Sequence, residues 1–438
     1  MTALTLGYLS FPALLAAIFL RAPIGLAMVL AGFIGLWAAT GSPDVALAKL
    51  KSESFTTFAS YSLSIIPMFL LMGQFATLSG MSRSLFDAGA AWLGHRRGGL
   101  AMAAIGACAG FGAICGSSLA TAATMGRVAL PELRRHGYDG GLAQATLAAG
   151  GTLGILIPPS VILVIYAILT EQNIAHLFLA ALIPGLMAAG GYMAVIALYV
   201  RRHPEAAGQG VRLPLRDRMA ALRGVWQVAA VFALVVGGIY AGWFAPTKGA
   251  AVGAAATGLL ALASGTLTWR KLGEALMATA ISTAMIYFVI FGAAFYNGFL
   301  ALSQLPQHLT GWVTGQGLSP ILVLAVILLG YLILGCLMDS LSMILLTIPI
   351  LWPVMQGLDF GLSPDATAIW FGILVLIVVE VGLITPPVGM NLFVINRIDR
   401  ATGMGRTYRA VIWFVASDIA RVALLVAFPA ITLFLLPV

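Results

Sequence analysis

Long apolar runs follow one another along this sequence and decide what kind of fold it can adopt. A helix that crosses a bilayer needs about 20 mostly apolar residues. Hydrophobic residues make up 61% of the 438 positions and charged residues only 9%, whereas a soluble domain carries about 25% charged residues. We therefore predict an all-α polytopic membrane protein, and the composition argues against a water-soluble enzyme, a disordered chain or a nucleic-acid-binding protein. The predicted apolar runs are 2–20, 23–40, 58–80, 139–170, 175–199, 225–244, 249–267, 275–300, 367–396 and 411–436.

The basic residues predict which side of the membrane each loop occupies. They cluster in short loops, and the loop 201–223 alone holds six arginines against two acidic residues. Cytoplasmic loops carry an excess of Lys and Arg, so this loop, the arginine pairs at 96–97 and 134–135, and the segment 397–409 should lie inside. The segments 303–319 and 357–368 contain no Lys or Arg and should lie outside, together with both termini. The net charge of +8 then reflects membrane topology rather than a nucleic-acid partner.

Two apolar stretches are predicted to be re-entrant hairpins that enter the membrane from opposite sides. The stretch 99–133 lies between two arginine pairs, so both of its ends are cytoplasmic, and it turns at Gly116-Ser117-Ser118. The stretch 320–356 lacks flanking bases and turns around 335–340. Non-helical backbone at membrane depth is tolerated only where protein buries it or a watery cavity meets it. The alternative for a single glycine-serine turn is simple small-residue helix packing.

The two hairpins belong to a predicted inverted repeat. Each is followed by a long apolar run that contains a double proline, in 139–170 and in 367–396. Proline removes a backbone donor and breaks the helix, which frees carbonyl groups. Inverted repeats with paired broken helices indicate a secondary-transporter site near the membrane midplane. The matching positions are Gly116 with Gly335, at an offset of 219, and Gly154 with Gly382 and Pro158-Pro159 with Pro386-Pro387, at an offset of 228.

Charged residues inside the apolar runs are candidates for function, because a charge at the bilayer centre costs at least about 2.5–3.5 kcal/mol. Asp339 lies at the second hairpin tip beside Ser340 and Ser342, and these hard oxygen ligands suit Na⁺. The alternative role for Asp339 is helix capping. Glu380 has three open roles, as an ion ligand, as a proton carrier, or as a structural partner of a backbone amide.

Three further charges are predicted to be structural. Arg127 lies on the returning arm of the first hairpin, where a long side chain can extend its charged head towards the membrane surface. Asp418 and Arg421 are three positions apart in the last run. Residues at this spacing are neighbours on a helix surface, so we expect these two side chains to pair.

The sequence closely resembles the large membrane subunit of the TRAP (tripartite ATP-independent periplasmic) transporter family over essentially its whole length. The segments that carry the resemblance are specific as a set, although each alone is weak. They are IPMFLLMG at 66–73, GSSLATAAT at 116–124, GILIPPS at 154–160, Asp339-Ser340, and EVGLITPPVGMN at 380–391.

The resemblance implies a non-enzymatic permease subunit in the bacterial inner membrane. Its expected activity is Na⁺-driven import of organic acid anions, such as C4-dicarboxylates, sialic acid or other sugar acids, by an elevator-type mechanism. Na⁺ is the coupling ion, and no other cofactor is expected. The expected partners are a periplasmic substrate-binding protein and a small four-helix membrane subunit, which we expect to be a separate chain because the sequence starts at the first span of the large subunit.

The resemblance also implies a domain layout that follows the repeat. Residues 1–80 and 201–300 are expected to form scaffold helices, the second range including the basic cytoplasmic loop. Residues 81–200 form the first half, with hairpin 99–133 and broken helix 139–170. Residues 301–438 form the second half, with hairpin 320–356 and broken helix 367–396.

Site residues are carried over from the resemblance one position at a time. The predicted Na⁺ ligands are Ser117, Ser118, Gly154 and Pro158 in one site, and Asp339, Ser340, Gly382, Thr385 and Pro386 in the other. The predicted substrate contacts, between the two tips, are Ser117, Thr121, Ser340, Thr385 and Asn391. The family often has Pro-Thr-Glu after its middle span, where this chain has Pro246-Thr247-Lys248, so roles that depend on that glutamate do not carry over.

Three other functions compete with this interpretation. A stand-alone Na⁺/anion symporter of related inverted-hairpin architecture needs neither partner subunit. An intramembrane enzyme needs paired catalytic aspartates, a Ser–His dyad or a metal cluster, and the sequence pattern offers none of these. A purely structural scaffold leaves Asp339 and the paired proline breaks unexplained.

Overall fold

The computed structural model describes residues 2–208, 210 and 212–436, and all regular elements in these ranges are helical. In lipid, backbone groups have to be satisfied within the segment itself, which makes a helix the natural state of each apolar run. A 3₁₀ turn at Tyr61–Ser64 leads into the fourth helix. The N-terminal helices are α1 (Ala3–Phe19), α2 (Ile24–Thr40), α3 (Pro43–Phe58), α4 (Ile65–Leu78) and α5 (Met81–Leu93).

The first hairpin consists of α6 (Gly99–Cys115) and α7 (Ser118–Arg135). The chain breaks at Gly116, whose φ of +63° lies in the left-handed region that favours glycine. Ser117 caps α7, because its hydroxyl oxygen accepts the N–H of Ala120 at 3.4 Å. The outer ends of the two arms meet, since the hydroxyl of Tyr138, just after α7, accepts the N–H of Leu100 at 3.1 Å.

A broken helix follows the first hairpin. α8 (Gly140–Leu156) and α9 (Val161–Thr170) are bent by 44° around Pro158-Pro159. The chain continues in long helices that lead to the second half, and a π-helical turn at 233–237 joins two of them. These helices are α10 (Ile174–Arg202), α11 (Leu215–Leu222), α12 (Trp226–Phe232), α13 (Gly238–Tyr240), α14 (Pro246–Ala263) and α15 (Trp269–Ser303).

The second half repeats the hairpin and the broken helix. After α16 (Leu305–Gly315), the hairpin arms are α17 (Pro320–Gly335) and α18 (Ser340–Gln356). The broken helix is α19 (Pro364–Gly382) with α20 (Met390–Ile398), and Pro386-Pro387 lies between them. The chain then forms α21 (Met404–Ala427) and α22 (Pro429–Leu433).

Fewer helices meet a strict length criterion for membrane spans than the apolar runs predict. Six helical segments of the described chain are long and apolar enough, and seven if the bent pair α8–α9 counts as one span. α1 and α2 have 17 residues each, and at 1.5 Å per residue they rise only about 26 Å. The apolar runs read from the sequence include apolar loop residues, whereas the helices end before these residues. The six segments are Tyr61–Leu78, Ile174–Arg202, Leu215–Tyr240, Trp269–Ser303, Pro364–Gly382 and Met404–Ala427.

The arginine-rich loops gather at one end of the helix bundle. Arg134, at the end of α7, forms an ion pair with Asp399 after α20. The N–H of Asp139 bonds to the carbonyl of Ala206 at 2.9 Å, which brings the start of α8 to the basic loop. At the opposite end, the amide of Gln172 lies 3.5 Å from the carboxylate of Asp365. The two broken helices therefore run antiparallel between these ends.

Buried polar side chains tie the two halves together. The side-chain amide nitrogen of Gln144, on α8, donates to the carbonyl of Asp399 at 2.7 Å. Its amide oxygen accepts from the hydroxyl of Thr407, on α21, at 2.8 Å. The side-chain amide of Asn391, on α20, donates to the carbonyl of Ala148 at 3.2 Å. Polar groups of the first half thus find their partners in the second.

Glycines let α2 and α15 pack with their backbones in contact. A Cβ added to Gly25 would lie 2.8 Å from the carbonyl oxygen of Phe288, and one added to Gly32 would lie 3.1 Å from the Cα of Tyr296. Small residues at such interfaces allow helices in lipid to approach closely. α1, α3 and α4 also pack against α15, and α14 packs against α4.

A buried ion pair links α21 to α10, which confirms the predicted pairing of Asp418 with Arg421. The guanidinium of Arg421 donates to Asp418 at 2.7 Å and to the carbonyl of Pro184 at 3.1 Å. The hydroxyl of Tyr192 donates to the other oxygen of Asp418 at 2.8 Å. Asp418 is 1% exposed and Arg421 6%, so neither charge can turn to solvent.

Replacing Asp418 with alanine is expected to destabilise the protein strongly. The substitution leaves Arg421 buried without its carboxylate, and removing one partner of a buried pair costs about 3–5 kcal/mol. Thermal unfolding of the purified protein in detergent measures the effect as a lower midpoint. Glu274→Ala, in the exposed pair with Arg270, is the control and should change stability by less than about 1 kcal/mol. Equal midpoints for the two variants would contradict this role of the buried pair.

Candidate functional site

The two hairpin tips meet at one cavity of about 150 Å³. Ser117 and Ser118 of the first tip line it together with Asp339 and Ser340 of the second. The breaks of the two broken helices also reach it, through Ile155, Val161, Ile162, Leu383 and Met390. The cavity therefore lies where both inverted halves have non-helical backbone.

Each tip begins a helix whose N-terminus is directed at this cavity. Ser117 caps α7, and Asp339 caps α18 by accepting the N–H of Ser342 at 3.0 Å and its hydroxyl at 2.6 Å. Helix N-termini carry a partial positive charge and unpaired N–H groups, which favour anions. A carboxylate offers about four lone-pair sites. The two bonds from Ser342 occupy only part of them, so Asp339 can bind a cation as well.

Glu380 contacts the second tip from inside the protein. The hydroxyl of Ser340 donates to Oε1 of Glu380 at 2.7 Å, and Glu380 is only 1% exposed. Within the described residues, Oε2 of Glu380 has no hydrogen-bond partner. The observed partner of this carboxyl group is thus a side-chain hydroxyl of the tip.

Glycines hold each hairpin against its broken helix in the same way in both halves. A Cβ added to Gly112 would lie 2.6 Å from the Cα of Gly154, and one added to Gly154 would lie 2.7 Å from the carbonyl oxygen of Ser117. In the second half, a Cβ added to Gly382 would lie 2.6 Å from the Cα of Gly335. Atoms this close leave no room for a side chain, so backbone meets backbone at both contacts.

The second proline break satisfies its freed carbonyls locally. Pro386 and Pro387 cannot donate to the carbonyls of Gly382 and Leu383 four residues earlier. Gly382 instead accepts the N–H of Thr385, and Leu383 accepts the N–H of Asn391, both at 3.1 Å. A carbonyl oxygen has two lone pairs, so each of these oxygens keeps one for another ligand.

The predicted site residues occupy three kinds of position. Four of them line the cavity, and two glycines hold the tips against the broken helices. The others lie next to the breaks without lining the cavity. The cavity residues are Ser117, Ser118, Asp339 and Ser340, the contact glycines are Gly154 and Gly382, and the remaining residues are Thr121, Pro158, Thr385, Pro386 and Asn391.

Three of the remaining residues have polar groups with defined surroundings. The hydroxyl of Thr385 donates to the carbonyl of Val381 at 2.6 Å. The hydroxyl of Thr121 is buried without a partner among the described residues. Asn391 is 0% exposed, and its bond to Ala148 places it between α20 and α8. The ion and substrate roles of all these residues stay predictions.

Apolar residues of the surrounding helices also line the cavity, and the sequence does not identify them as site residues. They are Leu70 on α4 and Met285 and Ile286 on α15. An apolar residue in a membrane helix has the same sequence signal whether it faces lipid or a site. Of the three, only Leu70 lies in a segment, 66–73, that resembles the TRAP family, and that resemblance does not mark it as a site residue.

The described residues contain no group of three or more His, Cys, Asp or Glu side chains placed to hold a metal ion. The oxygen groups at the tips are mainly hydroxyls, carbonyls and one carboxylate. Oxygen groups of this kind suit hard cations better than soft ones.

Comparison with known proteins identifies the family. The chain matches the family profile described as "Tripartite ATP-independent periplasmic transporter, DctM component" over residues 11–431. It is 36% identical to the "C4-dicarboxylate TRAP transporter large permease protein DctM" of Pseudomonas aeruginosa over 395 residues, and this alignment covers 90% of each chain. It is 30% identical to the "Sialic acid TRAP transporter large permease protein SiaM" of Vibrio cholerae over 433 residues, and this alignment covers 96% of each chain.

A solved structure shares the fold at low sequence identity. The YdaH transporter of Alcanivorax borkumensis matches with a TM-score of 0.56 and 17% identity, over 85% of this chain and 87% of that one. The likeness concerns the fold alone, whereas the family match covers nearly the whole sequence and confirms the resemblance seen in its motifs. This chain is therefore a multi-pass membrane protein that belongs to the DctM family, the large permease component of tripartite ATP-independent periplasmic transporters.

Proposed function

We propose that this chain imports organic acid anions across the bacterial inner membrane by coupling their movement to Na⁺. The observation that carries the proposal is the single cavity at which the two hairpin tips meet. Such a cavity, between broken helices of two inverted halves, is where secondary transporters bind substrate and coupling ions.

The substrate is proposed to be a small carboxylate. The N-termini of α7 and α18 supply partial positive charge, and Ser117 supplies a hydroxyl donor, with Ser340 beside it as a further proposed substrate contact. The cavity of about 150 Å³ is smaller than the roughly 300–1,000 Å³ of pockets for drug-sized ligands. This size favours a short dicarboxylate over a large sugar acid. Thr121, Thr385 and Asn391 remain proposed substrate contacts beside it.

Na⁺ is proposed to bind at both tips, each time against the neighbouring proline break. The first site would use Ser117, Ser118, Gly154 and Pro158, and the second would use Asp339, Ser340, Gly382, Thr385 and Pro386. The carbonyls of Gly382 and Leu383 keep free lone pairs, and Asp339 contributes a negative charge beside them. Oxygen ligands of this kind match a hard cation.

Transport is proposed to follow an elevator-type mechanism. The re-entrant hairpins and broken helices, within 81–200 and 301–438, would move as one body against scaffold helices from 1–80 and 201–300. The backbone contacts Gly112–Gly154 and Gly335–Gly382 support a rigid moving body. The scaffold faces the cavity with apolar side chains, Leu70 and Met285, which offer no hydrogen bonds that would hold the moving body in one position.

Two partners are proposed, a small four-helix membrane subunit as a separate chain and a periplasmic protein that delivers the substrate. Lys248 gives this protein a positive charge on its predicted outer surface. It is exposed at the start of α14, at an end predicted to face outward, where the family often has glutamate.

Uptake by the complete complex in liposomes tests the proposed function. With the small subunit and the binding protein present, an inward Na⁺ gradient should raise the uptake of a radiolabelled C4-dicarboxylate at least about tenfold over a K⁺ gradient, a difference of about 1.4 kcal/mol. Equal uptake with both cations would contradict Na⁺ coupling. Full uptake by this chain alone would instead favour the stand-alone symporter.

A further inference from the structure

Resting on the proposed function, we propose that Glu380 is a positioning residue that sets the hydroxyl of Ser340 so that its lone pairs face the cation at the second tip. Glu380 itself does not line the cavity, and Ser340 does. The carboxyl group therefore acts on the site through the serine.

The direction of the hydrogen bond carries the first step. A serine hydroxyl has one proton to donate and two lone pairs that accept. Because the proton of Ser340 is directed to Oε1 of Glu380 at 2.7 Å, it is turned away from the cavity. The lone pairs are then free to bind a cation there. Without this acceptor, the hydroxyl at the first turn of α18 is free to rotate and to present its proton to the cavity.

Burial carries the second step. Glu380 is 1% exposed and Ser340 4%, so neither side chain can exchange the bond for one to bulk water. The backbone contact between Gly382 and Gly335 lies two residues from Glu380 and fixes α19 against the hairpin. The acceptor thus belongs to a rigid helix, whereas the donor belongs to the tip.

The first half lacks an equivalent acceptor, so the two tips differ. At the repeat offset of 228, the counterpart of Glu380 is Thr152. The hydroxyl of Thr152 lies 3.0 Å from the hydroxyl of Tyr192 on α10 and donates to the carbonyl of Ala149 at 2.7 Å. It therefore interacts away from the first tip. Of the two tips, the second is the one whose serine donates a 2.7 Å hydrogen bond to a carboxyl group.

The test measures Na⁺ dependence and maximal rate separately in the reconstituted complex. Glu380→Ala removes the acceptor that orients the hydroxyl of Ser340, so it should raise the Na⁺ concentration for half-maximal uptake by about tenfold. Glu380→Gln keeps a carbonyl acceptor at this position and should restore most of the Na⁺ dependence. Thr152→Ala, a buried hydrogen-bond deletion at the matching position, should leave that concentration unchanged.

A double variant distinguishes positioning from a general structural role. If Glu380 acts through Ser340, then adding Glu380→Ala to Ser340→Ala should cause no further shift in Na⁺ dependence. If Glu380→Ala is not recovered as an assembled complex, Glu380→Asp carries the same prediction, because its shorter side chain cannot reach the hydroxyl.

Two results would overturn the role of Glu380 alone. In the first, uptake by the unaltered protein depends on Na⁺, but Glu380→Ala leaves the Na⁺ concentration for half-maximal uptake unchanged. The other is an additive effect in the double variant. Uptake by the unaltered protein that does not depend on Na⁺ would overturn the proposed function, and this role with it.

Discussion

Asp339→Ala is expected to abolish Na⁺-dependent uptake while the permease still assembles with its partner subunit. The carboxylate of Asp339 lines the cavity beside Ser340 and is the only full negative charge among the tip residues that line it. Removing it should reduce uptake at least about 100-fold, equivalent to about 2.7 kcal/mol. The measurement is Na⁺-driven uptake in liposomes, with the amount of assembled complex determined by size-exclusion chromatography.

A second variant separates the two roles of Asp339. The side chain also caps α18 through its bonds to Ser342, and loss of a cap costs about 0.5–2 kcal/mol. Asparagine caps helices about as well as aspartate does but carries no charge. Asp339→Asn should therefore retain the stability of the unaltered protein and still lose uptake. Near-normal uptake in Asp339→Asn would show that capping is the whole role of this residue.

Gly382→Ala is expected to reduce uptake to the background level by separating the second hairpin from its broken helix. The new Cβ would lie 2.6 Å from the Cα and the carbonyl carbon of Gly335, and backbone atoms cannot move aside as a flexible side chain can. Interiors are packed too densely to absorb an added methyl group at such a contact. The end of α17 then has to shift, and the tip that carries Asp339 and Ser340 shifts with it.

The same hairpin offers a matched control for this glycine. Gly330 also lies in α17, but a Cβ added there would meet no atom within 4 Å. Alanine is a better helix former than glycine, so Gly330→Ala should leave uptake unchanged and the helix slightly more stable. Normal uptake in Gly382→Ala would mean that the close contact between hairpin and broken helix is not needed for transport.

The sequence predicts the architecture well where chemistry leaves a local signal. Proline in a helix interior removes a hydrogen bond and kinks or breaks the helix. The helices α8–α9 and α19–α20 are interrupted around the double prolines, whereas the single prolines Pro131 and Pro184 lie within α7 and α10. Turns rich in glycine and serine interrupt apolar runs, and the first hairpin turns at Gly116. The sequence does not predict shorter helices such as α3 and α16, because they are not long uninterrupted apolar runs.

The candidate site is only partly predictable for a related reason. Ser117, Ser118, Asp339 and Ser340 are polar groups in apolar surroundings, and such residues stand out in a sequence. The positions of Met285 and Asn391 depend on which helices pack together, and these partners are far apart in the chain. The partner of Asn391 is Ala148, 243 positions earlier. No local pattern encodes a contact of this kind.

The hydrogen bonds of Gln144 delay completion of the first half while the protein is being synthesised. Its side chain is 0% exposed, and its two partners, Asp399 and Thr407, come 255 and 263 positions later in the chain. Because a chain is synthesised from its N-terminus, α8 is complete long before either partner exists. The interior of the first half therefore stays unfinished through most of translation, and it closes only once α20 and α21 have left the ribosome.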